Sequence, residues 1–335
     1  MKRNYYLFNP GRMSRNDHTL KYVALDANDR EMKPKYLPIE GVKSLYIFGS
    51  VDANSALFNF LGKQRIPVHF FDYYGHYTGS FQPKEYLLAG KMQVEQTKAY
   101  LKRSRRMHIA QQLVLGASHN MLKIVRYYHN RKTEMQSILE AIEKHRSHIP
   151  EAKDVPELMG LEGNCRQAYY ESFEHIITDF RMNSRQKQPP SNEVNALISF
   201  GNMMCYTLTL DTIFHTQLNP TISFLHEPGA RRYSLALDIA EIFKPILVDR
   251  TIFRVLNKRE LKAHHFEQQL NACFLKEEGK KIFIRVFEER LRDTIYHKAL
   301  KRKVSYKHLV KLECYKMAKY ILRIEDRYQP FKMKG

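Results

Sequence analysis

His226, Asp238 and Glu241 fall within one stretch, HEPGARRYSLALDIAEIFKP, which also contains Glu227. An imidazole nitrogen near carboxylate oxygens is a donor set suited to a hard divalent metal ion. To deliver those donors the stretch must fold, and its apolar residues indicate how. Leu235, Ile239, Ile242 and Phe243 recur at helical spacing and predict a short amphipathic helix over 235–243. Ser234 is placed to cap that helix by accepting from an orphan backbone N–H. Lys244-Pro245 is placed to end it, because proline removes a donor and disfavours helix at the residue before it. Asp238 and Glu241, three apart, are then neighbours on the flank of the apolar face, and His226 enters from the preceding loop. The plainer reading is a surface helix with acids on its wet side and a structural histidine. The stretch by itself leaves both open.

Glu162 in GLEGNCRQAYY is another candidate acid. Flanking Gly160 and Gly163 place it in the first turn of a helix running through Arg166, Tyr169 and Tyr170. There the macrodipole alone would favour a glutamate. Tyr169 and Tyr170 are expected to pack or to contact phosphate, since nothing marks either as a nucleophile.

The charge of the whole chain points to a partner. In 335 residues there are 55 Lys and Arg against 35 Asp and Glu, a formal net charge of +20. Such an excess suits a polyanion, most simply nucleic acid, with an anionic membrane surface as the rival. The basic residues gather in four blocks: Lys102, Arg103, Arg105 and Arg106; Arg181, Arg185 and Lys187; Lys258, Arg259 and Lys262; Lys298, Lys301, Arg302 and Lys303. Each singly is expected to be a solvated face. Together they favour a nucleic-acid surface. No apolar run approaches the ~20 residues of a membrane span, and MKRNYYLFNPGR lacks the apolar core of a signal peptide. The four cysteines, Cys165, Cys205, Cys273 and Cys314, are scattered with no CxxC pair. That pattern argues against a zinc ribbon and for buried free thiols in a reducing, cytoplasmic setting. There is no Trp, but 21 Tyr and 19 Phe can build a core and stack on bases.

The patterning divides the chain and predicts an α+β architecture. Short extended runs at Tyr5–Phe8, Leu20–Leu25, Lys35–Ile39, Ser44–Phe48, Val68–Asp72 and Tyr77–Phe81 predict a small N-terminal β domain over 1–83. One helix covers its sheet, capped by Asp52, carrying Leu57, Phe58 and Leu61, and closed by Gly62. A linker follows at 84–90. Beyond it the period changes to 3.6, predicting an all-α domain over 91–335, the one that bears the candidate catalytic residues. Its helices are expected near 85–117, 119–130, 133–147, 161–182, 192–216, 235–243, 281–299 and 306–325, the last capped by Ser305. The aromatic residues Tyr46, Phe48, Phe70, Phe71, Tyr73, Tyr74 and Tyr77 exceed what a small sheet domain can hide, which predicts exposed apolar surface and a homodimer through residues 1–83.

Four segments in this order resemble one family over nearly the whole chain, the CRISPR-associated integrase-endonuclease of the adaptation module, or Cas-one family. NYYLFNPGR with YLPIEGVKSLYIFGS and NFLGKQRIPVHFFDYYGHYTGSF resembles its N-terminal β domain. GLEGNCRQAYYESF resembles the segment of its catalytic glutamate, PPSNEVNALISFGN its Pro-Pro and Asn-Ala-Leu helix, and HEPGARRYSLALDIAEIFKP the segment of its histidine and final acids. The resemblance implies a single-metal site of Glu162, His226 and Glu241, with Asp238 as an additional acid beside it. Lys244 stands where the family often has Arg, and Glu241 where some members have Asp. The resemblance further implies a dimeric enzyme that inserts short DNA fragments into a repeat duplex by phosphodiester transesterification, with a Cas-two family partner. Mg²⁺ or Mn²⁺ suits the donors, and the imidazole tilts the choice toward Mn²⁺. The rivals are a non-specific metal-dependent nuclease acting on DNA or RNA, and a non-catalytic nucleic-acid-binding scaffold. The discriminator is whether Glu162, His226 and Glu241 converge within metal-ligand distance; if they lie far apart, binding alone is the better account.

Overall fold

The structure is a computed structural model that describes residues 2–26, 28–84, 87, 89–131, 134–186, 189–229 and 233–334. It divides into two compact units, Met1–Tyr86 and Leu87–Gly335. Glu85, Tyr86 and Leu88 of the expected linker, Lys187 of the second basic block and Ala230, Arg231 and Arg232 of the histidine stretch lie outside the described residues.

The first unit is built from β1 (Arg3–Leu7), β2 (Gly11–Asn16), β3 (Thr19–Ala24), β4 (Lys35–Pro38), β5 (Val42–Ile47), β6 (Val51–Asp52), α1 (Ser55–Lys63), β7 (Val68–Phe71) and β8 (Tyr77–Phe81). One sheet runs β1-β5-β7-β8 and the other β4-β3-β2-β6. In the first, β1, β5 and β7 are parallel and β8 is antiparallel. Leu7, Met13, Leu20, Val42, Leu45 and Val68 from the sheets close on Leu57 and Leu61 of α1. Strands β2 and β6 went unforeseen because GRMSRN has no apolar alternation; β2 is held by its hairpin with β3, turning at Asp17 with φ 50°. Asn54, not Asp52, caps α1, accepting the Leu57 N–H at 3.0 Å, and Gly62 lies inside the helix. The aromatic excess is largely hidden after all. Tyr46 is 1% and Phe71 7% exposed, Phe48 stacks on Phe71 at 4.4 Å, and only Tyr73 and Tyr74 of the predicted set stand exposed.

The second unit is mostly helical: α2 (Gly90–Leu101), α3 (Arg103–His129), α4 (Gln136–Ser147), α5 (Val155–Ile176), α6 (Glu193–Phe214), α7 (Ser234–Lys244), α8 (Arg250–Asn257), α9 (Glu277–Arg292) and α10 (Tyr306–Ile321). It is not all-α. Two antiparallel ribbons interrupt it, β9 (Phe266–Gln269) with β10 (Ala272–Leu275), and β11 (Thr294–His297) with β12 (Arg302–Ser305). Ser305 caps α10, accepting from His308 N–H at 3.3 Å. Pro245 does not end the chain's helical course. It opens a π turn, Pro245–Asp249, that leads directly into α8. A widened turn absorbs the missing proline N–H, which a regular turn cannot. Gly201 lets α6 press on this turn, since a Cβ there would lie 2.4 Å from Val248 Cγ1. Among the described residues no helix is long and apolar enough to cross a membrane. All four cysteines are free and buried, and burial pushes the thiols of Cys165, Cys205 and Cys273 up to about 12.

Candidate metal centre

Helix α5 begins earlier than its glycines suggested. Asp154 caps it by accepting the Glu157 N–H at 2.9 Å, and Pro156 occupies the first turn, where its missing N–H costs nothing. Glu162 is therefore mid-helix rather than in the first turn. One turn on, Arg166 reaches back to Glu162 Oε1 with Nε at 2.7 Å and Nη2 at 2.6 Å. That spacing of four is the ordinary geometry of a helical ion pair.

Helix α7 supplies the other side. Its first residue is Ser234, which does not cap it; the cap position is Tyr233, without a side-chain bond. The Ser234 hydroxyl instead donates to the Thr221 carbonyl at 3.0 Å and ties the helix to the incoming loop. Asp238 and Glu241 are not on a wet flank: Asp238 is 0% and Glu241 7% exposed. Glu241 Oε2 accepts from the same Arg166 Nη2 that holds Glu162, and Glu241 Oε1 accepts from Lys244 Nζ. The two carboxylates, from two helices, thus meet at one guanidinium nitrogen.

His226 is positioned by Asp238. Oδ1 of Asp238 lies 2.8 Å from His226 Nδ1 and accepts the His226 backbone N–H at 2.9 Å. Oδ2 accepts the backbone N–H groups of Phe224 at 2.7 Å and Leu225 at 3.0 Å. An ionised Asp238 puts the proton on Nδ1 and leaves Nε2 as the ring's donor nitrogen. Glu227, the fourth acidic or imidazole side chain of the motif, belongs elsewhere. It is exposed and bonded to Arg106 at 2.5 Å and Tyr100 at 2.9 Å.

The electrostatics follow from burial among opposed charges. Burial alone would raise the Glu241 carboxyl, but Arg166 and Lys244 overcome it and hold the group well below the usual range. Burial would lower His226, yet the hydrogen bond and charge of Asp238, with the charge of Glu241, raise it. Asp249, on the π turn, is pushed up to about 7 by burial against the opposing charges of Arg166 and Lys244.

The side chains here are of the donor types that suit a divalent ion. Two carboxylates and an imidazole oriented by a carboxylate are present, and the point shared by both carboxylates is held by Arg166 Nη2, a cation standing where the donors suit a metal. As they stand, the acids are committed to Arg166 and Lys244. Among the described residues no three His, Cys, Asp or Glu side chains lie close enough to hold a metal ion. Arg166, Lys244 and Asp249 are the residues of this cluster to which the sequence assigned no part in the site. The first two were legible in principle at four from Glu162 and three from Glu241.

The basic blocks divide in use. Arg105 Nη2 donates to the carbonyls of Tyr320 and Ile321, Arg103 to that of Lys153, and Arg106 to that of Phe224, so the first block clamps the fold. Arg259 pairs with Asp179 at 2.8 Å. Lys298, Lys301, Arg302 and Lys303 are exposed around the β11–β12 turn. Tyr169 is fully buried, which makes it a packing residue and not a phosphate contact.

A family model described as CRISPR associated protein Cas1 matches residues 5–289. A CRISPR-associated endonuclease Cas1 of Thermodesulfovibrio yellowstonii is 46% identical over 331 residues, 98% of this chain and 99% of the relative. The solved structure of a Cas1 protein from Thermotoga maritima superposes with a TM-score of 0.87 at 35% identity, covering 98% of this chain and 99% of that one. A casposase bound to integration product shares the fold with a TM-score of 0.88 at 18% identity, covering 100% of this chain and 95% of that one.

Proposed function

The chain belongs to the CRISPR-associated Cas1 family, and we propose that it is a divalent-metal-dependent DNA endonuclease and integrase that joins short DNA fragments into a repeat array by transesterification. The observation that carries this is the convergence of Glu162 and Glu241 on one cation, with His226 held by Asp238 of the same helix as Glu241. Glu162, Glu241 and Nε2 of His226 would hold Mg²⁺ or Mn²⁺. Such an ion, when bound, supplies charge stabilisation at a phosphate oxygen and a lowered pKa for an attacking hydroxyl.

The chain's own groups do the rest. Asp238 fixes the tautomer and orientation of His226. Arg166 and Lys244 neutralise the carboxylates while no metal is present. With the carboxylates otherwise compensated, Arg166 and Lys244 would be free to donate to phosphate oxygens. The reaction needs no covalent enzyme nucleophile, because the 3′-hydroxyl of the fragment can attack phosphorus directly. The net charge of +20 supports DNA as substrate. Family membership supports a homodimer, a Cas-two family partner and work in the cytoplasm.

The test is strand transfer of a labelled fragment into a repeat-bearing duplex, scored against hydrolysis. Glu162→Ala, His226→Ala and Glu241→Ala should each abolish joining while circular dichroism stays near wild type. Joining by His226→Ala at the wild-type level with Mn²⁺ would overturn the assignment. Hydrolysis without joining in the wild type would favour a nuclease.

A further inference from the structure

A second, separate site lies in the helical unit. The C-terminal part of α3, the start of α8, β11, the start of α10 and the C-terminal segment enclose a groove of about 780 Å³. Tyr306 forms its buried floor, while Tyr127 and Tyr296 stand on its walls, 38% and 58% exposed. Lys123, Arg126, Arg250 and Lys334 also line it, and among the described residues no Asp or Glu does. Arg250 sits over the Tyr127 ring at 5.4 Å. Arg126 makes an exposed pair with Glu143 at 2.7 Å, which costs little to give up. Opposite Tyr296 on the ribbon is Lys303, so the two side chains share a face. The exposed Lys298, Lys301 and Arg302 lie around the same turn and continue the positive charge outward.

Tyr296 offers a ring open to solvent among cations, with no Asp or Glu among the described lining residues, and this matches one ligand chemistry. The ring accepts a stacked base and the cations accept phosphates. The Tyr127 ring is already covered, by Arg131 at 4.3 Å and Arg250 at 5.4 Å, and its hydroxyl accepts from Arg131 at 2.7 Å. A duplex keeps its bases stacked on each other and cannot offer one to Tyr296. We propose that this groove binds an unpaired stretch of nucleic acid, with a base on Tyr296 and phosphates on Arg250, Arg126, Lys123 and Lys334. The site is connected to the metal centre through the chain: Asp249 is buried under the influence of Arg166, and the next residue, Arg250, lines the groove. The inference relies on the proposed DNA chemistry only for the choice of a polynucleotide.

The test uses the full chain in metal-free buffer, so it is independent of whether Glu162, His226 and Glu241 bind a metal. Anisotropy would be measured with a labelled single-stranded oligothymidylate and with a duplex of equal length. Tyr296→Ala should weaken single-strand binding about tenfold, the loss of roughly one stacked base, and leave duplex binding within about twofold. Tyr296→Phe should behave as wild type. Unchanged single-strand binding by Tyr296→Ala, or equal loss for both probes, would overturn the proposal. Displacement of the oligothymidylate by polyglutamate as readily as by unlabelled oligothymidylate would also overturn it, since the groove would then be reading charge alone. Photo-crosslinks from a bromodeoxyuridine strand should map to Tyr296, and crosslinks confined to other segments would overturn it.

Discussion

Asp238 Oδ1 lies 2.8 Å from His226 Nδ1, and the two oxygens of that carboxylate together accept three further backbone N–H groups, from Phe224, Leu225 and His226. Asp238 is therefore spent on positioning. Its role is to hold the loop that carries the histidine and to fix which ring nitrogen faces outward. Asp238→Asn would place an amide donor against donors. We expect Mn²⁺ affinity to fall about 10- to 100-fold and stability to drop by roughly 1–3 kcal/mol. Isothermal calorimetry with Mn²⁺ checks the first, and wild-type affinity in the variant would remove Asp238 from the site.

Arg166 joins Glu162 to Glu241, and its side chain is 15% exposed. Removing one partner of a largely buried ion pair leaves uncompensated charge, a loss of about 3–5 kcal/mol. Arg166→Ala should therefore melt well below wild type in a chelator and recover much of the difference on adding Mn²⁺. Thermal unfolding in the two buffers reads this directly. An equal deficit with and without Mn²⁺ would mean that Arg166 and the metal do not share the same charge.

His108 is half-buried beside α10, with Nε2 accepting the Tyr328 N–H at 3.3 Å. Burial, with the charge of Arg327, lowers its pKa, and burial lowers His119 in the same sense. As pH falls below the ordinary histidine value of about 6.5, the unfolded chain binds protons first. The stability from these neutral imidazoles is thus full above that value and is lost as pH falls through the lower native pKa. Denaturant midpoints between about pH 7.5 and 5 should decline, with a shallower slope in His108→Gln. An unaltered slope in the variant would show that His108 does not contribute.

Tyr73 is 75% and Tyr74 43% exposed, with their rings edge to face at 5.4 Å. We expect them to lie in a homodimer contact of the first unit. Light scattering should give twice 39.8 kDa, and Tyr73→Glu with Tyr74→Glu should shift the particle toward the monomer. A dimer of unchanged affinity in the double variant would move the contact elsewhere.

The sequence carried the architecture better than the chemistry of the site. Residues with strong local signals read true: Ser305 caps its helix, and the apolar strands flanking Leu45 and Val68 form. The misreadings share a cause in tertiary context. Ser234 has the chemistry of a cap, but its hydroxyl is taken by the Thr221 carbonyl. Pro245 has the chemistry of a terminator, but a π turn accommodates it. The glycines at 160 and 163 masked a helix whose cap lies at Asp154. Glu162 is remote in sequence from the His226–Glu241 stretch, so its meeting with Glu241 at Arg166 depends on how α5 and α7 pack, which periodicity does not encode. The cations were harder still. Arg166 and Lys244 sit at ordinary helical pair spacing, and only burial distinguishes them from surface pairs.

If Glu162, His226 and Glu241 share one divalent ion, anomalous scattering from a crystal of the full chain soaked in Mn²⁺ will show it. One peak is expected within bonding distance of both carboxylates and of His226 Nε2, with Arg166 withdrawn from between them. A site still bridged by Arg166, with manganese absent or bound elsewhere, would contradict it.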